Sequence, residues 1–161
     1  MPESDMSCPN SSPDAAAAEA NGTPGSATAE PEILIDRFDQ LSLSPSVLES
    51  LAAAKFLKPT PIQAQFIPKA LTGRDVMGQA KTGTGKTAAF LLPIFQKLTP
   101  HSPGDTDRHC QALILAPTRE LALQINGEIS RLGSKLNFST ITLYGGASYE
   151  PQIEALSAGV D

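Results

Sequence analysis

The run Ala80-Lys81-Thr82-Gly83-Thr84-Gly85-Lys86-Thr87 brings together the residue types that a phosphate cradle requires. Glycines at 83 and 85 let successive backbone N–H groups turn toward one point, where phosphate oxygens can accept from them. A helix that starts directly after the run adds its partial positive end at the same place. Lys86 offers a cation for the outer phosphates, and the Thr87 hydroxyl offers one ligand to Mg²⁺. The chemistry implied is the binding of a nucleoside triphosphate. The strict pattern of Gly, four residues, Gly-Lys-Thr departs at its first position, Ala80, where alanine costs little if φ stays negative.

A loop of this kind needs a strand before it and a helix after it. Residues 75–78 read as a brief buried strand, and 88–92 open an apolar helix. That helix extends to about residue 98, is apolar on nearly every side, and carries Pro93, where a kink is expected. Upstream, Ser44-Pro45-Ser46 is a helix start, with Val47, Leu48, Leu51 and Ala52 as the apolar face. Thr60-Pro61-Ile62-Gln63 is a second start in capping-box form; its helix should reach about residue 71, bent or interrupted near Pro68.

Downstream, residues 99–109 read as a polar surface loop. The continuous apolar run 112–116 predicts a strand covered on both faces. Thr118 should cap a helix through about residue 132, and 139–144 predict a third strand closed by Gly145-Gly146. A final helical piece is expected near 150–157. Strands alternating with helices predict an α/β fold with a parallel sheet and flanking helices.

Charge divides the chain unevenly. Of the formal net charge of −5, residues 1–32 carry six acidic groups and no Lys or Arg, so the rest is close to neutral. That first segment is rich in Ser, Ala, Pro and Gly and has too little apolar surface to offset its ordering entropy, so it is expected to be a disordered tail. Cys8 and Cys110 have no metal-ligand spacing, and a reducing cytoplasm suits them. His101 and His109 fall in the expected loop. No basic segment followed by an apolar stretch marks a signal peptide, and no apolar run nears the ~20 residues of a membrane span.

Four motifs stand in order: Phe56-Leu57-Lys58-Pro59-Thr60-Pro61-Ile62-Gln63 with Phe38 upstream, the run 80–87, Pro117-Thr118-Arg119-Glu120-Leu121, and Gly145-Gly146. With them, residues 36–161 resemble the amino-terminal RecA-like domain of DEAD-box RNA helicases. The resemblance implies an incomplete RecA-like phosphate-loop domain that binds ATP and Mg²⁺, with an adenine-recognition motif over about 37–65. Phe56, Lys58, Gln63 and Ala80 through Thr87 would hold the nucleotide, Phe56 by stacking on the base and Gln63 by matching the adenine edge with an amide that both donates and accepts. Pro117, Thr118, Arg119, Gly145 and Gly146 would meet the RNA backbone without reading its sequence. Taken without the family, Gln63 also serves as a capping glutamine, Phe38 and Phe56 as core aromatics, Arg119 as a salt-bridge partner, and Gly145-Gly146 as a plain turn.

One departure is local: Lys55 stands where the family usually has glycine, in a turn that suits left-handed backbone. Another is larger. The Asp-Glu-Ala-Asp motif and the second RecA-like domain are not in these 161 residues. The resemblance therefore implies a piece of an ATP-dependent RNA helicase with negligible ATPase alone, poorly soluble or partly molten because of an unpaired sheet edge. A non-catalytic ATP- or RNA-binding module, or a fragment that interferes with the intact helicase, is the alternative, and an unrelated phosphate-loop ATPase is disfavoured by the adenine motif.

Overall fold

A computed structural model describes residues 35–99 and 109–161, all within the unit Ile33–Asp161. The expected tail 1–32, His101 and most of the expected loop 99–109 lie outside the described residues. Five α-helices follow a 3₁₀ turn at Phe38–Leu41: α1 (Pro45–Ala53), α2 (Pro61–Leu71), α3 (Lys86–Lys97), α4 (Arg119–Leu132) and α5 (Tyr149–Ser157). Among the described residues no helix is long and apolar enough to cross a membrane.

Local chemistry accounts for the helix limits. Prolines at the first positions of α1 and α2 arrive with φ already set, after Ser44 and Thr60 in extended backbone. The Thr118 hydroxyl accepts from the Leu121 N–H at 3.2 Å and caps α4. Pro68 and Pro93 lie inside α2 and α3, and both helices continue through them.

The end of α1 resolves the question raised by Lys55. Lys55 does adopt left-handed backbone, with φ 61°. Its N–H donates to Ala52 O at 3.0 Å, and the Phe56 N–H to Leu51 O at 2.9 Å, which together form a Schellman turn. A side chain here carries strain that glycine avoids. Lys55→Gly is therefore expected to stabilise the chain by about 1 kcal/mol, read as a higher urea midpoint with unchanged slope; an unchanged or lower midpoint contradicts it.

Helix α3 is the centre of the packing, touching α1, α2 and α4. It buries Ala88, Ala89, Leu91, Leu92, Pro93 and Phe95, as expected of a helix apolar on most sides. Leu41, Val47, Leu51, Ile67 and Leu132 complete the core around it. Buried Ser50 accepts from the Lys135 N–H at 3.2 Å, and Gln96 Oε1 accepts from the Ser44 N–H at 2.6 Å, so α1 is tied at both ends. Phe138 stacks on Phe95 with centroids 5.0 Å apart. Ala52, expected on the apolar face of α1, is exposed.

The expected sheet is corrected by the structure: among the described residues no β-strand is present. Residues 75–78 are not a buried strand but are exposed, Met77 almost completely (99%). Nor is 112–116 covered on both faces. Exposure there alternates along the chain, with Leu113 and Leu115 outward and Ile114 packed on the core, the pattern of a pleat with one bare face. The physical reason lies in the partners. A strand needs a neighbouring backbone, and among the described residues segments 111–116 and 139–144 are linked through Asp161. Its carbonyl accepts from Gln111 N (2.6 Å) and Ala112 N (2.9 Å), and its N–H donates to Ser139 O (3.0 Å). Beyond that residue the two segments border a cavity of about 330 Å³ whose lining includes Leu91, Phe95, Ile114, Ile125, Ile141 and Leu143.

Candidate functional site

The run 80–87 closes into a loop between an unpaired backbone segment and α3. Gly83 and Gly85 both have positive φ, 78° and 89°, the geometry that glycine alone adopts without strain. Thr84 Oγ1 donates to Lys81 O at 2.8 Å and tightens the loop from inside. The Lys86 ammonium donates to Ala80 O at 2.5 Å, so the last residues of the loop reach back to the first. Lys81, Thr82, Gly83 and Lys86 are exposed, and Thr87 is half-buried at the second position of α3. The Thr87 hydroxyl is one hard oxygen ligand, which fits an Mg²⁺ ion that takes its other ligands from phosphate and water.

Gln63 joins α2 to this loop. Its Oε1 accepts from Thr60 N at 2.9 Å, and its Nε2 donates to Gly85 O at 3.1 Å. The side chain is almost wholly buried (1% exposed). Of the two roles read from sequence the structure forms the cap, since Gln63 Oε1 accepts from Thr60 N, and the same side chain also touches the phosphate loop. An amide carries two donors and two lone pairs, and these two bonds use one of each. Gly85 is fitted to this contact. A Cβ there would lie 2.5 Å from Gln63 Nε2 and 3.3 Å from Thr60 Oγ1.

Phe56 is half-buried and packs against the core. Phe38, 6% exposed, packs against it with centroids 6.4 Å apart, and the Arg131 guanidinium of α4 covers its ring at 4.9 Å. One face of Phe56 is therefore taken by a cation–π contact. Lys58 is exposed.

The two segments expected to meet RNA are brought together. Pro117 and Thr118 lead exposed into α4, and the Arg119 Cζ lies 4.3 Å from the centroid of Tyr144, the residue before Gly145-Gly146. Gln152 of α5 brackets the glycine turn, its Oε1 accepting from Tyr144 N at 3.2 Å and its Nε2 donating to Ser148 O at 2.9 Å. The Ser148 hydroxyl donates to Glu150 and holds that exposed carboxyl below the usual carboxylate range. Sequence reasoning missed Tyr144, Gln152 and Arg131, since no local pattern marks a partner so far along the chain.

Comparison with known proteins is consistent throughout. A family model described as DEAD/DEAH box helicase matches residues 60–161. The DEAD-box ATP-dependent RNA helicase CshA of Streptococcus pneumoniae is 46% identical over 123 residues, covering 76% of this chain and 22% of the relative. ATP-dependent RNA helicase RhlB of Haemophilus influenzae is 48% identical over 126 residues, 78% of this chain and 30% of the relative. This chain thus spans under a third of either relative. Among solved structures, an RNA helicase of Chaetomium thermophilum bound to ADP superposes with a TM-score of 0.68 at 40% identity, covering 76% of this chain and 30% of that one. A DEAD box protein from Methanococcus jannaschii gives 0.64 at 35% identity, covering 78% of this chain and 33% of that one.

Proposed function

This chain belongs to the DEAD/DEAH box helicase family, and we propose that it carries the nucleotide grip and part of the RNA contact surface of an ATP-dependent RNA helicase. The observation that carries this reading is the bond from Gln63 Nε2 to Gly85 O, which ties the helix of the adenine motif to the phosphate loop. Backbone N–H groups of 83–87 and the start of α3 would hold the phosphates, with Lys86 leaving Ala80 O to pair with the outer ones. Thr87 would contribute to Mg²⁺, which when bound neutralises phosphate charge. ADP in the C. thermophilum relative supports the same ligand class.

RNA would lie along Thr118, Arg119 and the Gly145-Gly146 turn, held by its backbone and so without preference for sequence. Hydrolysis and strand separation belong, in this proposal, to a longer helicase of which these residues are a part. Within it, 75–78, 112–116 and 139–144 would act as strands of a parallel sheet; Asp161, bonded to both 111–112 and 139, supports a further strand lying between the last two.

The remaining amide capacity of Gln63 gives the test. Adenine presents a donor beside an acceptor, whereas guanine presents two acceptors on the same edge, so the amide suits only adenine. Calorimetric titration is expected to find ATP bound about tenfold more tightly than GTP, and Gln63→Ala should erase most of that preference. Equal affinity of the unaltered chain for the two nucleotides would refute the assignment.

A further inference from the structure

We propose that Tyr144 is a positioning residue for RNA binding, acting through Arg119. The inference rests on the reading of Arg119 as a phosphate contact and adds to it the device that aims its side chain. An exposed arginine has many rotamers, and fixing one to receive a phosphate costs conformational entropy. The Tyr144 ring meets the guanidinium at 4.3 Å, within the range of cation–π attraction, and so restricts that freedom before RNA arrives. A guanidinium lying on a ring keeps its in-plane N–H donors directed outward, where phosphate oxygens can accept from two at once.

The backbone that carries the ring is itself held. Gln152 accepts from the Tyr144 N–H and donates to Ser148 O, gripping the chain on both sides of Gly145-Gly146. Both glycines are exposed, and Gly146 has φ 83°, so the turn leaves its backbone bare beside the arginine. Two segments far apart in sequence, 117–119 and 145–146, are thereby coupled through one aromatic face. Tyr144 supplies no charge and need not touch RNA. Its effect should pass entirely through Arg119.

Binding of a short fluorescein-labelled oligouridine, followed by anisotropy across a range of salt concentrations, tests this in the full chain. Arg119→Ala is expected to weaken binding about tenfold and to reduce the salt slope by about 0.7, the loss of one phosphate contact on a single strand. Tyr144→Leu should weaken binding about threefold and flatten the slope in the same direction. Tyr144→Phe should match the unaltered chain, because the ring face and not the hydroxyl is used. The double variant Arg119→Ala/Tyr144→Leu should bind no more weakly than Arg119→Ala alone.

Each failure has its own meaning. No effect of Arg119→Ala would remove the phosphate-contact reading and this proposal with it. A loss at Arg119→Ala with none at Tyr144→Leu, or with losses that add in the double variant, would overturn the positioning role and leave the contact standing. Equal weakening by Tyr144→Phe would overturn it too, and that variant keeps the ring volume should Tyr144→Leu disturb the fold.

Discussion

Gly85→Ala is expected to lower ATP affinity by at least about tenfold and to destabilise the chain by about 2–4 kcal/mol. Two costs combine. Alanine at φ 89° carries left-handed strain of about 1 kcal/mol. The new methyl would also stand 2.5 Å from Gln63 Nε2 and 3.4 Å from its Cδ. Gln63 cannot swing aside freely, because it is buried and bonded at both ends of its amide. Moving it leaves buried polar groups without partners, at roughly 1–3 kcal/mol. Gly83→Ala is the matched control: its φ is 78°, but no atom lies within 4 Å of the added Cβ, so only the strain remains. Urea unfolding and ATP calorimetry on both variants measure the difference, and equal effects at 83 and 85 would show that the Gln63 contact is unimportant.

Leu92→Ala is expected to cost about 3–5 kcal/mol and to lower the urea midpoint sharply. Leu92 is fully buried (0% exposed) in α3, the helix on which α1, α2 and α4 all pack. Removing its branched end takes away transfer energy and leaves a void that three helices cannot all close. The reserve against that loss is small. Domains are stable by roughly 5–15 kcal/mol, and this one spends apolar surface on solvent at Met77, Leu113 and Leu115. Leu123→Ala on α4, where the side chain is 44% exposed, should shift stability by only about 0.5 kcal/mol. Urea curves followed by circular dichroism test the pair, and similar midpoints for the two variants would contradict the central role of α3.

Much of the site could be read from residues 80–87 and their neighbours, because a phosphate loop is a local object. Its glycines, lysine and threonine act within one turn of each other, and the caps at Thr60 and Thr118 involve residues three positions away. The cost of Lys55 was legible for the same reason: left-handed backbone is a property of one residue. Arg131 over Phe56 was not legible, since the two are 75 positions apart and neither forms a motif with the other. The pairing of Arg119 with Tyr144 is hidden likewise, although a motif lies in or beside each of its segments.

Strands expose the boundary most clearly. The apolar pattern of 112–116 reads as a strand buried on both faces, and the side-chain alternation of a strand is present. Whether such a segment pairs depends on which backbone lies beside it, and here Asp161 bridges 111–112 to 139. The helices, the caps at Thr60 and Thr118 and the glycine turns of the phosphate loop follow from neighbours within a few positions, whereas the hydroxyl of Ser44, expected to cap α1, makes no such bond. Tertiary structure alone decided that Gln63 would grip Gly85, that Tyr144 would carry Arg119, and that the expected strands would stand unpaired. Those outcomes are contacts between distant parts of the chain, and no local propensity encodes them.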